Sequence, residues 1–252
     1  MTATTTTTAP AARRVPQWRS AFGYLLSAYV YMLTLWFWAI ALPVIAVIIF
    51  IVSQNVEQVT SSGVAFSHHG ALWFPFSIAI ILSVTYLPIH VANGLTRRSF
   101  SQAALAVDVS VGLLNAVIAT LALLVEREIY DGLGWVHGGN DGQGVPIFHG
   151  GVLTYGFGLF LLFTAGQVSG SLIGIAYYRL GGWVGTLALP LGLLPLAAVG
   201  FLGLGEGVQW TPWSWTADVA PWGTVAAITV LIAAAGVFHL LVRDVSIDSK
   251  KA

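Results

Sequence analysis

Apolar runs of the length that crosses a lipid bilayer, about 20 residues each, recur along almost the whole chain with short polar breaks between them. The clearest run from Leu72 to Val91, Ala103 to Val125, Val152 to Tyr178, Trp183 to Leu204 and Gly223 to Val242. The first run, Ala21 to Ser53, exceeds one crossing, and its opening part, AFGYLLSAYVYM, mixes tyrosines and serines with the apolar residues. The pattern therefore predicts a helix from Val15 to about Ser27 lying in the cytoplasmic interface, followed by a first span from about Tyr31 to Ser53. A single long tilted helix is the rival reading. The expected fold is all-α: a polytopic membrane protein with six transmembrane helices, preceded by that interfacial helix. Pro43, Pro75, Pro88, Pro190 and Pro195 fall within or near the spans. Lipid-embedded helices tolerate proline where neighbours satisfy the freed carbonyls.

Composition turns this pattern into a class. With 57% hydrophobic and 8% charged residues in 252, the chain cannot clothe a soluble domain in polar groups. No polar block is large enough to fold alone, so one domain is expected over residues 15–245. Residues 1–14, rich in Thr, Ala and Pro, read as a disordered cytoplasmic tail, and 246–252 as a second one. The apolar run after Arg13 and Arg14 is too long for a signal-peptide core, and no small-residue cleavage site follows it. There is no cysteine, which removes disulfides, thiolate metal sites and thiol nucleophiles.

Charge distribution sets an orientation. With the amino terminus inside, the inner segments hold Arg13, Arg14, Arg19, Arg97, Arg98, Arg179, Arg243, Lys250 and Lys251, and the outer segments hold Arg127 alone. That is the positive-inside asymmetry of a plasma (cytoplasmic) membrane protein with both termini cytoplasmic. Glu57, Glu126, Glu128, Asp131, Asp141, Glu206 and Asp218 fall in the expected outer loops, of which Glu126 to Gly151 is the longest. Trp210, Trp213, Trp215 and Trp222 cluster in another and suit an aromatic belt at the headgroup level.

Candidate chemistry is sparse. Asp108 and Asn115 lie in the third span and Gln167 in the fourth. An intramembrane carboxyl is costly and faces protein or water. Asp108 reads as a structural hydrogen bond or an ion pair with Arg97, Arg98 or Arg179 near the inner boundary, a proton or substrate relay being the functional alternative. Gly166, Gly170 and Gly174 recur every four residues, a small-residue face that lets another backbone approach, either within the chain or across a dimer. Among His68, His69, His90, His137, His149 and His239 no pair has helical metal spacing, so no metal site is expected. His68 and His69 read as one outer loop, while His90 and His239 read as caps at the inner ends of their spans.

The polar break after the second span, NGLTRRSFSQ, is short. Gly94 can end the preceding helix, and Thr96 can cap a short surface helix carrying Arg97, Arg98 and Phe100. Topology anchoring to anionic lipid would suffice to explain the arginines. The form N-G-x-[ST]-R-R-x-[FY], with six spans and an amphipathic start, resembles the permease subunits of type-2 ATP-binding-cassette exporters, in particular small actinobacterial ones. The resemblance implies that Asn93, Gly94, Thr96, Arg97, Arg98 and Phe100 form a coupling helix seated on a separate ABC ATPase subunit. It also implies a second permease copy or a related permease as partner, in contact with membrane lipid and not nucleic acid. The chain has no G-x-x-x-x-G-K-[ST] loop, so ATP and Mg would be bound by the partner, and this chain would hold no cofactor and no catalytic residue. The alternatives are a membrane scaffold or accessory subunit, or an enzyme using Glu126, Glu128, Asp131, His137 and His149 of the outer loop.

Overall fold

The computed structural model describes residues 16–29, 34–138, 147–148, 151–202 and 220–246. The first tail, residues 247–252 of the second, His149, and Trp210, Trp213 and Trp215 of the expected aromatic belt lie outside them. The described residues form seven helices: α1 (Gln17–Tyr29), α2 (Leu35–Ser53), α3 (Gly63–Ala92), α4 (Arg97–Leu133), α5 (Val152–Leu187), α6 (Leu189–Phe201) and α7 (Ala220–Arg243). Five of them, α2, α3, α4, α5 and α7, are long and apolar enough to cross a membrane, whereas α6 is shorter.

Several boundaries differ from the sequence reading, each for a physical reason. α3 starts at Gly63, so His68 and His69 are helical and not in a loop. Ser62 caps its first turn by accepting a hydrogen bond from the Ala65 amide. α4 runs on to Leu133, so Glu126, Glu128 and Asp131 ride on helix and not in a loop. Its 37 residues make about 55 Å, well beyond the hydrocarbon thickness of about 30 Å. Gly134, in the left-handed conformation (φ 70°), stops it.

α5 is the axis. It packs against α3, α4, α6 and α7, and its apolar window is 89% buried. Gly166, Gly170 and Gly174 face α3 of the same chain. A Cβ at Gly166 would meet Leu72 Cδ1 at 2.6 Å, and one at Gly174 would meet the Ile80 carbonyl at 2.6 Å. A Cβ at Gly170 would strike the Phe76 carbonyl. At Gly181 the backbone leaves helical geometry (φ 75°, ψ −179°), and the chain folds back along α5. Leu196 N donates to Ser169 Oγ at 3.1 Å, which supplies a neighbour's oxygen beside Pro195. The fifth sequence span, Trp183 to Leu204, thus divides between the end of α5 and α6.

α1 packs along α4, and its last residue, Tyr29, is buried against the middle of α3 and α5. α2 starts at a similar depth, where Trp38 donates to Asn115 Oδ1 at 2.9 Å, and runs outward past Gly63. Among the described residues Arg19, Arg97, Arg98, Arg179 and Arg243 mark one end of the bundle, where α1 and α4 start and α3 and α7 finish. Glu57, Glu126, Glu128 and Asp131 mark the other.

Candidate functional site

At the basic end, α3 and α4 are joined by a turn that the sequence dictates almost atom by atom. Gly94 has φ 78°, a conformation that glycine adopts without cost. Leu95 N donates to the His90 carbonyl at 3.2 Å and Gly94 N to that of Val91 at 2.9 Å. These two bonds form the Schellman stop of α3. Asn93 fastens the last turn again, its side-chain amide donating to the Ile89 carbonyl at 2.9 Å. Thr96 then caps α4, accepting from Ser99 N at 3.1 Å. Ser99 Oγ and His90 Nε2 lie 3.0 Å apart and tie the two helices across the turn.

The arginines therefore sit on the first turn of α4 itself. The separate surface helix expected from the sequence does not form, because Thr96 caps a helix that continues into the span. Phe100 is fully buried with its ring 5.5 Å from that of His90, so it belongs to the core and not to a contact surface. Arg98 is exposed and Arg97 half-buried, and among the described residues neither is ion-paired. Two cations at the positive pole of a helix dipole are locally unfavourable, so the helix gains nothing from them. His90 and His239 each bridge to α4, His239 Nδ1 lying 2.6 Å from Ser101 Oγ; they join helices instead of capping their own.

A second set of polar groups lies inside the bundle. On α4, Ser101, Asp108 and Asn115 repeat every seven residues on one buried face. Asp108 sits about three turns into α4 and is 3% exposed. Its Oδ2 accepts from Ser171 Oγ at 2.9 Å. Of the two structural alternatives the hydrogen bond is the one formed, and an ion pair with an arginine is absent among the described residues, because the carboxyl is buried well below the turn that carries Arg97 and Arg98. Gln167 Oε1 is 2.8 Å and the Pro75 carbonyl 2.5 Å from the Tyr29 hydroxyl. One hydroxyl hydrogen serves one of them, and turning the Gln167 amide lets its NH2 complete the pair. Sequence pattern singles out neither Tyr29 nor Trp38, because their partners Gln167 and Asn115 are far along the chain.

At the acidic end Glu126 is 6% exposed and organises the start of α3. It accepts from Ser62 Oγ, from Gly63 N at 2.9 Å and from Val64 N at 3.2 Å. His137 Nε2 lies 3.1 Å from its Oε2. The arrangement satisfies helix-end amides with a carboxylate where the dipole favours one. It is a fastening, and Glu128, exposed and paired with Arg127 at 3.1 Å, takes no part in it. No group of three or more metal-ligating side chains occurs among the described residues.

An apolar groove of about 420 Å³ opens at the same end between α2 and the start of α3, lined by Ile45, Ile49, Val52, Val59 and Phe66. No family model matches the chain, and comparison with curated proteins and with solved structures finds no match either.

Proposed function

We propose that the chain is the membrane subunit of an ATP-driven exporter, and that the turn from Asn93 to Arg98 is where a separate ATPase docks. The observation that carries this reading is the unpaired Arg97 and Arg98 on a turn fixed by a Schellman stop, an N-cap and the Ser99–His90 bridge. A partner presenting carboxylates would gain from both guanidinium groups, which can bind them bidentately. A push at that turn acts on the end of a 37-residue helix packed along α5 to the acidic end, so it is passed on as a rigid movement.

In this reading the basic end faces the cytoplasm, α1 and α2 together make one crossing, and 182–201 makes the return crossing after α5, for six in all. The core around α5 is packed with apolar side chains, so an amphipathic cargo, far larger than a water molecule, would pass between two permease copies and not through one. ATP and Mg would be held by the ATPase. A scaffold or accessory role is the second reading, favoured by the same filled core. The test is purification of the full chain from its native membrane in mild detergent, with Mg-ATP hydrolysis measured on what remains bound. The exporter reading expects a co-purifying ATPase that is lost from an Arg97→Glu/Arg98→Glu chain of unchanged elution volume. Retention by that variant overturns the docking assignment, and absence of any ATPase from the unaltered chain favours the scaffold.

A further inference from the structure

Among the described residues, six buried side chains carry oxygen or nitrogen atoms with no hydrogen-bond partner in the protein: Thr34 at the start of α2, and Thr120, His68, Thr164, Ser83 and Tyr178. The last five share one region of the bundle. Measured along α5, Thr120 lies at Gly156, 3.0 Å from where a Cβ there would sit. His68, with both ring nitrogens unpartnered, lies edge-on to Phe163 at 6.2 Å. Thr164 comes next against Gly112 of α4, and Ser83 stands beside Gly174, with Tyr178 one turn further. The gap between Thr164 and Ser83 is filled by the Tyr29–Gln167 pair and by Asp108 with Ser171. Steps along the axis reach at most about two helical turns, about 10 Å, a distance that one to three waters admitted between the helices would cover.

Left dry, each unpartnered group has lost its water without gaining a hydrogen bond in exchange. A run of them from one end of the central helix to the other is costly as packing and useful as a wetted path. Asp108 stands in the middle of it. Of the helices around it, α1 brings Tyr29, and α7 brings His239 on Ser101, two turns nearer the basic end. α3 and α5 bring Ser83, Gln167 and Ser171 near this level, and among the described residues no Lys or Arg pairs with the carboxyl. A carboxyl so placed has a proton as the natural companion of its charge.

We propose that the ladder along α5 carries protons across the bundle, with the Asp108 carboxyl as the group that takes the proton up and gives it on. An O–H bond of a hydronium ion breaks as one forms on a carboxylate oxygen of Asp108. The reverse transfer, to water on the opposite side, completes the passage. No electrons move, and one H⁺ crosses down its electrochemical gradient. The path needs no partner subunit, so it stands whether or not an ATPase binds the Arg97–Arg98 turn.

The test uses the full chain in proteoliposomes containing a pH-reporting dye, with a potassium diffusion potential set by valinomycin. Flux above that of protein-free vesicles is expected from the unaltered chain. Asp108→Asn keeps an acceptor for Ser171 but cannot carry a proton, so flux falls about tenfold or more. Asp108→Glu restores part of it. His68→Leu, remote from Asp108, lowers flux as well and serves as the second variant should Asp108→Asn fail to elute as a single folded species. Flux no greater than in protein-free vesicles from the unaltered, folded chain overturns the proposal. So does full flux in Asp108→Asn or, where that variant misfolds, in His68→Leu.

Discussion

α2 and α5 are both apolar helices long enough to cross a membrane, yet 6% of one apolar window is buried and 89% of the other. Their residues explain the contrast. α2, LWFWAIALPVIAVIIFIVS, has no glycine and no hydroxyl, amide or charged side chain before Ser53, and its many large β-branched and aromatic side chains hold neighbouring backbones away. Ile40, Val47 and Ile51 are accordingly more than half exposed. α5 places Gly166, Gly170 and Gly174 on one side and Ser169 and Ser171 on others, so helices close in from several directions. In lipid, where tails are as apolar as leucine, hydrophobicity alone brings no helices together, and small residues with hydrogen-bonding groups do. The more hydrophobic helix is therefore the peripheral one.

Substitutions sharpen this contrast. Gly170→Leu should do the most damage, because its Cβ would meet the Phe76 carbonyl and lie 2.9 Å from Ala79 Cβ. Backbone cannot yield as a side chain does, so the cost is on the order of 4 kcal/mol or more, read as loss of folded protein in detergent. Ser169→Ala leaves the Leu196 amide without its 3.1 Å acceptor and should cost about 1–2 kcal/mol, with faster hydrogen exchange in α6 but not in α3. Ile40→Ala, on the bare side of α2 at 58% exposure, should change the free energy of unfolding by less than about 0.5 kcal/mol. A large loss there would mean that α2 is packed against something outside this chain.

Local signals in the sequence located much of this and missed what depends on distance. The apolar runs gave the helices, and Gly94 and Thr96 gave the stop and start around the basic turn, because those bonds are made within six residues. The second apolar run begins at Leu72, nine residues after α3 itself starts at Gly63, because Ser67, His68 and His69 look like a loop. Only the packed structure buries His68 inside the bundle. The far end of α4 was lost for a similar reason: Glu126 reads as a surface acid until Ser62, 64 residues away, is brought to it. Asp108 and Ser171 are 63 residues apart, and Tyr29 and Gln167 are 138 apart, so no spacing within one segment could have paired them. The repeat of Gly166, Gly170 and Gly174 was legible as a close-packing face, but its partner was not, since one stripe serves a neighbour in the same chain or in a second copy equally well.

The choice between those partners is also the most direct test of α5 as an internal axis. The chain has no cysteine, so an introduced pair reacts against a silent background. Leu72 Cγ lies 3.7 Å from a Cβ built at Gly166, which puts Leu72→Cys and Gly166→Cys within reach of a disulfide. Oxidised in membranes and run without reductant, the double variant should migrate as a monomer with both thiols blocked. A disulfide-linked dimer, or a monomer with both thiols free, would contradict the account.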